Sequence, residues 1–188
     1  MRLCVIFAAR FDSEVATLCF CFEQTGYRIV LLLAHDADLA CSSQQAGDLE
    51  LAACIEKCEM DDSATLQSTM EDIRTRHGVP DVLIGHRLKE ITWLSVMQAF
   101  SPARLILVLE QPAATAPAMQ AAGFNTILVA HAGALALPLV SEEEPLALVR
   151  QRGGRAYEVA MLALYLASSE AAHIHGATMT VHSGRYLS

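Results

Sequence analysis

Six cysteines, seven histidines, four tyrosines and two lysines are the residues that could carry metal, covalent or proton-transfer chemistry here. The cysteines, Cys4, Cys19, Cys21, Cys41, Cys54 and Cys58, all lie in the first third of the chain. Zinc sites read from sequence as Cys-x-x-Cys pairs or compact Cys/His sets, because the ligands must converge on one ion. Cys19-Phe-Cys21 and Cys54-x-x-x-Cys58 lack that spacing, so the cysteines are expected to act as small hydrophobes in a reducing compartment. The histidines are His35, His77, His86, His131, His173, His175 and His182. His173-x-His175 is the one close pair, and two histidines alone do not make a metal set. No metal site is therefore expected. Arg87, Arg104 and Arg185 could meet an acidic ligand, but scattered arginines are more often solvated or paired with acids such as Glu90. No nucleophile stands at readable spacing from a base, although such partners meet only in the fold.

The elements that would position these groups follow from the hydrophobic pattern. Residues 3–9, 27–34 and 104–109 are continuous apolar runs of strand length, which suits strands buried on both faces of a parallel sheet. Further strands are expected at residues 51–58, 81–85, 125–130 and 177–182. Asp12 or Ser13 caps a helix ending before Gly26, and Asp62 or Ser63 caps another ending before Gly78 and Pro80. Residues 90–100 and 156–168 are helical in pattern. Residues 35–46 and 112–122 make at most short helices, and residues 141–152 read as a solvated, first acidic and then basic segment. Strands alternating with helices imply βαβ units and a doubly wound parallel sheet.

Composition limits the functions. At roughly 100–200 residues per domain, a chain of 188 residues is expected to be one domain, residues 1–188. The formal net charge of −8 excludes a basic nucleic-acid footprint. No apolar run approaches the ~18–20 residues of a membrane span, and residues 3–9 are too short for a secretory signal. A cytoplasmic protein is expected, with neither nucleic acid nor membrane as partner.

The C-terminal third carries a resemblance. Leu166-Ala167-Ser168-Ser169-Glu170-Ala171, Ile174-His175-Gly176 and Ser183-Gly184 follow an apolar helix, as at the end of the short-chain dehydrogenase/reductase family. Asp61-Asp62 before a helix, Arg76-His77-Gly78 after it, and Asp81-Val82-Leu83-Ile84 resemble the family's third and fourth strand units. The resemblance implies a Rossmann-like α/β fold with a doubly wound parallel sheet. It also implies a shortened region between the fifth and sixth strands, where the family places its Ser loop and Tyr/Lys helix.

The functional motifs of that family are missing. Its cofactor loop needs Gly-x-x-x-Gly-x-Gly, so that the backbone can approach a pyrophosphate at a helix N-terminus. The corresponding residues are Ala9, Ser13 and Val15, with Asp12 and Glu14 expected to repel phosphate at close range. Asp36 or Asp38 stands where a ribose-binding acid would be, and Glu59 where an adenine-contacting acid would be; each reads as a surface acid. The family's Tyr-x-x-x-Lys pair is absent: Leu31, Met161 and Ser169 follow Tyr27, Tyr157 and Tyr165 at that spacing. Gly85-His86-Arg87 replaces the usual Asn-Ala-Gly. No catalytic residue and no cofactor-binding residue are expected in this chain.

The last helix remains informative. Val159, Ala160, Ala163, Leu164 and Ala167 line one face, and Met161, Leu162, Tyr165 and Leu166 make the other apolar as well. A helix apolar all round must be covered on both sides. In the resembled family this helix and the final strand form a dimer face. The implied interface residues are Tyr157, Ala160, Met161, Leu164, Tyr165, Thr178, Thr180 and His182. The expected function is that of a pseudoenzyme, a silent oxidoreductase subunit paired with an active short-chain dehydrogenase paralogue in a hetero-oligomer such as a heterotetramer. NAD would then sit on the partner, and the implied reaction is oxidation of a hydroxyacyl-CoA in toluene degradation. The alternative is a free-standing homodimeric regulatory or small-ligand-binding module on the same fold.

Overall fold

The computed structural model of the chain describes residues 1–34, 38–60, 62–88, 104–109, 123–130 and 154–182. They form a single seven-stranded sheet, parallel throughout, with helices against it. The order of elements is β1 (Arg2–Ala8), α1 (Ser13–Gln24), β2 (Tyr27–Ala34), α2 (Leu39–Asp48), β3 (Cys54–Cys58) and α3 (Ser63–His77). There follow β4 (Val82–His86), β5 (Arg104–Leu109), β6 (Asn125–Ala130), α4 (Gly154–Ala167) and β7 (Thr178–His182). The sheet order is β3-β2-β1-β4-β5-β6-β7. It reverses between β1 and β4, so a crevice opens at the carboxyl ends of those two strands. This is the Rossmann-like arrangement, and only residues 110–124 separate β5 from β6. The helices expected at 90–100 and 112–122, and the segment 141–152, lie outside the described residues.

Alternation along the strands divides the core into two layers. Cys4, Ile6 and Ala8 of β1 face one way, with Ile29, Leu31 and Leu33 of β2, against Val15, Leu18, Cys19 and Phe22 of α1 and Val159, Ala160 and Ala163 of α4. Leu3, Val5 and Phe7 face the other way, with Val30 and Leu32, against Leu66, Met70 and Ile73 of α3. The unbroken apolar runs of β1 and β2 exist because both faces of these central strands are covered.

Local chemistry sets the boundaries. Asp12 caps α1, its Oδ1 accepting the Val15 N–H at 2.9 Å. Asp38 caps α2 through the Cys41 N–H at 3.0 Å, and Asp62 caps α3 through the Thr65 N–H at 3.0 Å. The third strand is shorter than its apolar pattern suggests. Glu50 takes φ +56°, the Leu51 N–H turns back to the Ala46 carbonyl at 3.0 Å and the Ala52 N–H goes to Glu23 Oε1 of α1 at 3.1 Å, so β3 begins only at Cys54. Before β7, buried Asn125 clamps the incoming turn. It donates to the Ile174 carbonyl at 2.9 Å and accepts from the Ala177 N–H at 3.2 Å.

Candidate functional site

The crevice between β1 and β4 is where a fold of this topology places its ligand. Three elements meet there: the first turn of α1, the end of β4, and the first turn of α4. Each contributes charged or titratable side chains to one buried carboxylate, Glu14.

Glu14 is only 3% exposed. A carboxylate removed from water needs compensating hydrogen bonds or charges. His86, the last residue of β4, supplies the first, with Nε2 2.9 Å from Glu14 Oε2. An ionised carboxylate can only accept, so the ring nitrogen donates. Arg87 and Arg155 supply the charges. Arg87 Nη2 lies 2.9 Å, and Arg155 Nε 3.2 Å, from Glu14 Oε1. These are ion-pair contacts: Oε1 is buried and accepts no well-aligned hydrogen bond among the described residues. Burial works to raise the Glu14 pKa. The hydrogen bond with His86 and the charges of Arg87 and Arg155 outweigh it and hold the carboxyl below its ordinary value. Glu14 also lies in the first turn of a helix, where the macrodipole favours a negative charge.

Arg87 reaches this point from an uncommon backbone conformation. Its φ is +51°, in the left-handed region that glycine enters freely. Its N–H donates to the Val108 carbonyl of β5 at 2.9 Å. In the sequence resemblance Arg87 occupies the Gly position of Asn-Ala-Gly. The side chain adds a guanidinium to the crevice from a backbone shape that a glycine would adopt freely.

The residues at the glycine-loop positions are equally specific in their placement. Val15 is fully buried, Ser13 is half-buried and Ala9 is exposed. The Val15 N–H, one of the free donors of the α1 N-terminus, is taken by Asp12. Asp12 and Glu14 were expected to stand as repelling charges. Asp12 is the α1 cap, the first of the two capping residues the sequence offers, while Glu14 is turned inward and paired with Arg87 and Arg155. Of the acids placed at nucleotide-contact positions, Asp38 is the α2 cap, Glu59 is exposed beyond β3, and Asp36 lies outside the described residues.

The expected interface residues divide by helical rotation. Met161 and Tyr165, one turn apart on α4, are 44% and 42% exposed. Tyr157 and Leu164 are half-buried, and Thr178 and Thr180 are exposed on β7, an edge strand of the sheet. His182 ends β7. Ala160 does not belong with them. It is fully buried with Val159, Ala163 and Leu166 against the sheet and α1, because α4 turns that stripe inward. Leu166, placed by its pattern on the outer side, is likewise core.

The Glu14 cluster was not legible in the sequence, because its members come from positions far apart. One local sign existed: an acid in the first turn of a helix flanked by Val15 and Ala16, on the face that must be buried.

No family model and no curated protein matches this sequence. Solved structures do match its fold. A short-chain dehydrogenase/reductase from Serratia marcescens aligns with TM-score 0.71 and 13% identity, over 97% of each chain. A hydroxysteroid dehydrogenase from Escherichia coli aligns with TM-score 0.70 and 14% identity, over 97% of this chain and 96% of that one. An NADPH-dependent reductase involved in bacilysin biosynthesis aligns with TM-score 0.66 and 17% identity, over 96% and 98%. The chain therefore has the fold of the short-chain dehydrogenases and reductases. Among the described residues, no helix is long and apolar enough to cross a membrane.

Proposed function

We propose that this chain is a catalytically silent subunit on a short-chain dehydrogenase fold, which pairs through α4 and β7 with an active, NAD-dependent partner of the same fold. The observation that carries this reading is the occupation of the α1 N-terminus from within. Where the family's loop would expose backbone N–H groups to a pyrophosphate, Asp12 Oδ1 already accepts from the Val15 N–H. The three glycine positions carry side chains, and Val15 is packed into the core. A dinucleotide held in the family's manner does not fit these residues, and no step of hydride transfer is assigned to them. The missing Tyr-x-x-x-Lys pair agrees. The cofactor and the chemistry belong to the partner.

Met161 and Tyr165 support the pairing surface, as large apolar side chains left exposed on a helix beside an edge strand. A subunit without chemistry can still act by binding one conformation of its partner better than another.

The test is co-expression with an intact dehydrogenase that carries Gly-x-x-x-Gly-x-Gly and Tyr-x-x-x-Lys, then mass determination on the eluted species and NAD titration of each. A mixed oligomer such as a heterotetramer, with NAD bound only at the intact chains, is the expected result. NAD bound by this chain alone as tightly as by the partner overturns the silent reading. A homodimer that ignores the dehydrogenase replaces the pairing with a regulatory or ligand-binding module. For the reaction, the degenerate pattern resembles that of the non-catalytic subunit of the 2-(hydroxyphenylmethyl)succinyl-CoA dehydrogenase of anaerobic toluene degradation. Turnover of that thioester by the mixed oligomer tests the substrate.

A further inference from the structure

At the opposite end of the sheet, a second cluster stands apart from the crevice and from the pairing surface. Cys54 and Glu56 are alternate residues of β3, so their side chains leave the same face of the strand. That face looks toward α3, because Cys58, two residues further on, is buried with Leu66, Met70 and Ile73. His77 is the last residue of α3. The helix stops there as Gly78 takes φ +97° and donates to the Arg74 carbonyl at 3.0 Å. The Arg28 guanidinium of β2 donates to the His77 carbonyl and ties this helix end to the sheet. The Cys54 sulfur, a Glu56 carboxylate oxygen and a His77 ring nitrogen consequently lie within 4.8 Å of one another. His77 Nε2 is buried without a hydrogen-bond partner among the described residues. Such an atom calls for an explanation.

We propose that Cys54, Glu56 and His77 bind a divalent cation of the zinc class, with the fourth position open to water. The donor set decides the class. Thiolate, imidazole and one carboxylate suit zinc, whereas calcium and magnesium take oxygen ligands. The spacing is close to what a tetrahedral ion needs, since metal–ligand lengths of 2.0–2.3 Å put neighbouring donors about 3.3–3.6 Å apart. The Cys54 Sγ to Glu56 Oε1 edge is already 3.4 Å. Arg76 holds Glu56 with two contacts, of 2.7 and 2.9 Å, and is itself held by Asp72 at 2.7 Å. Each carboxylate oxygen has a second lone pair. The guanidinium therefore orients the carboxylate, as outer partners of metal ligands do. Cys54 opens β3 and His77 ends α3, so the site lies at the amino-terminal side of the sheet. There a bound ion would clip α3 to the edge strand.

The experiment uses the full chain, stripped with a chelator and dialysed, and titrated with Zn²⁺ by calorimetry and with Co²⁺ by absorption. One equivalent of each is expected, with a thiolate-to-cobalt charge-transfer band. Cys54→Ser should abolish the band, and His77→Gln should weaken Zn²⁺ binding about tenfold or more. Cys41→Ser, an exposed cysteine outside the cluster, should change neither. Equal affinity in the wild type and the Cys54→Ser/His77→Gln double variant overturns the proposal, as does Co²⁺ binding without the band. Should the variants fail to fold, the wild type decides: Zn²⁺ is expected to raise its Tm, and no rise overturns the site. None of these readouts depends on NAD or on a partner subunit.

Discussion

Glu14 Oε2 and His86 Nε2 lie 2.9 Å apart although 72 positions separate them in sequence. The contact joins the first turn of α1 to the last residue of β4, across the point where the strand order reverses. Arg87 and Arg155 close on the same carboxylate, so three elements share one buried charge.

Removing that charge should be costly. Glu14→Gln leaves two guanidinium groups facing a neutral amide, and breaking a buried ion pair in this way costs about 3–5 kcal/mol. A lowered midpoint in urea denaturation checks it. A midpoint within experimental error of the wild type would show that the guanidinium groups find other partners.

The same carboxylate gives a pH dependence whose sign is fixed. Its folded-state pKa lies below the ordinary value, so the unfolded chain binds the proton more readily. The stabilisation is fully present above the unfolded carboxylate value of about 4.3 and is lost as pH falls through the depressed folded value. Urea midpoints between neutral pH and pH 3 should fall more steeply in the wild type than in Glu14→Gln.

Asp12 should behave as a helix cap and not as a ligand residue. Asp12→Ala is expected to cost about 1 kcal/mol, the usual loss on deleting a capping carboxylate. Chemical denaturation reads the loss. An unchanged midpoint would mean that water satisfies the Val15 N–H equally well.

The cysteines should divide sharply in reactivity. Cys4 and Cys19 are fully buried, and burial pushes both thiols up, Cys19 to about 12. Cys41 is exposed. Under native conditions a thiol alkylating reagent should modify Cys41 quickly and leave Cys4 and Cys19 intact, as peptide mass mapping would show. Early modification of Cys19 would mean that α1 opens from the sheet.

The outer face of α4 should govern assembly and not folding. A Met161→Glu/Tyr165→Asp variant is expected to elute as a smaller species while keeping the native far-UV circular dichroism. Ala160→Leu should instead unfold or destabilise the chain, because it overfills the contact between α4 and α1. Retention of the wild-type mass by the first variant would move the interface elsewhere.

The strands and the capped helices were readable because their causes are local. Asp12 and Asp62 start helices where an unpaired N–H needs an acceptor, and the run from Tyr27 to Ala34 is apolar at every buried position. The start of β3 differs from its pattern for an equally local reason: Leu51 and Ala52 look like strand residues, and nothing in their types announces the positive φ of Glu50. The two clusters were opaque for a different reason. Glu14 meets His86 only because β1 lies beside β4, and Cys54 meets His77 only because α3 returns along β3. Their separations in sequence carry no trace of that. The rotation of α4 lay between these cases: its pattern was apolar all round, and only packing against α1 shows that Ala160 points inward and Tyr165 outward.

The Asp12 cap has one more consequence. A protein that binds its anion from solution has a stability that follows the concentration of that ligand by mass action. Here the anion is tethered three residues from the donor it serves, so its effective concentration does not vary with the surroundings. On the proposed reading, in which the α1 N-terminus takes no dinucleotide, the folded population of this chain should be the same in a cell rich in nucleotide and in one depleted of it. A cofactor-binding chain of the same fold would rise and fall with the pool.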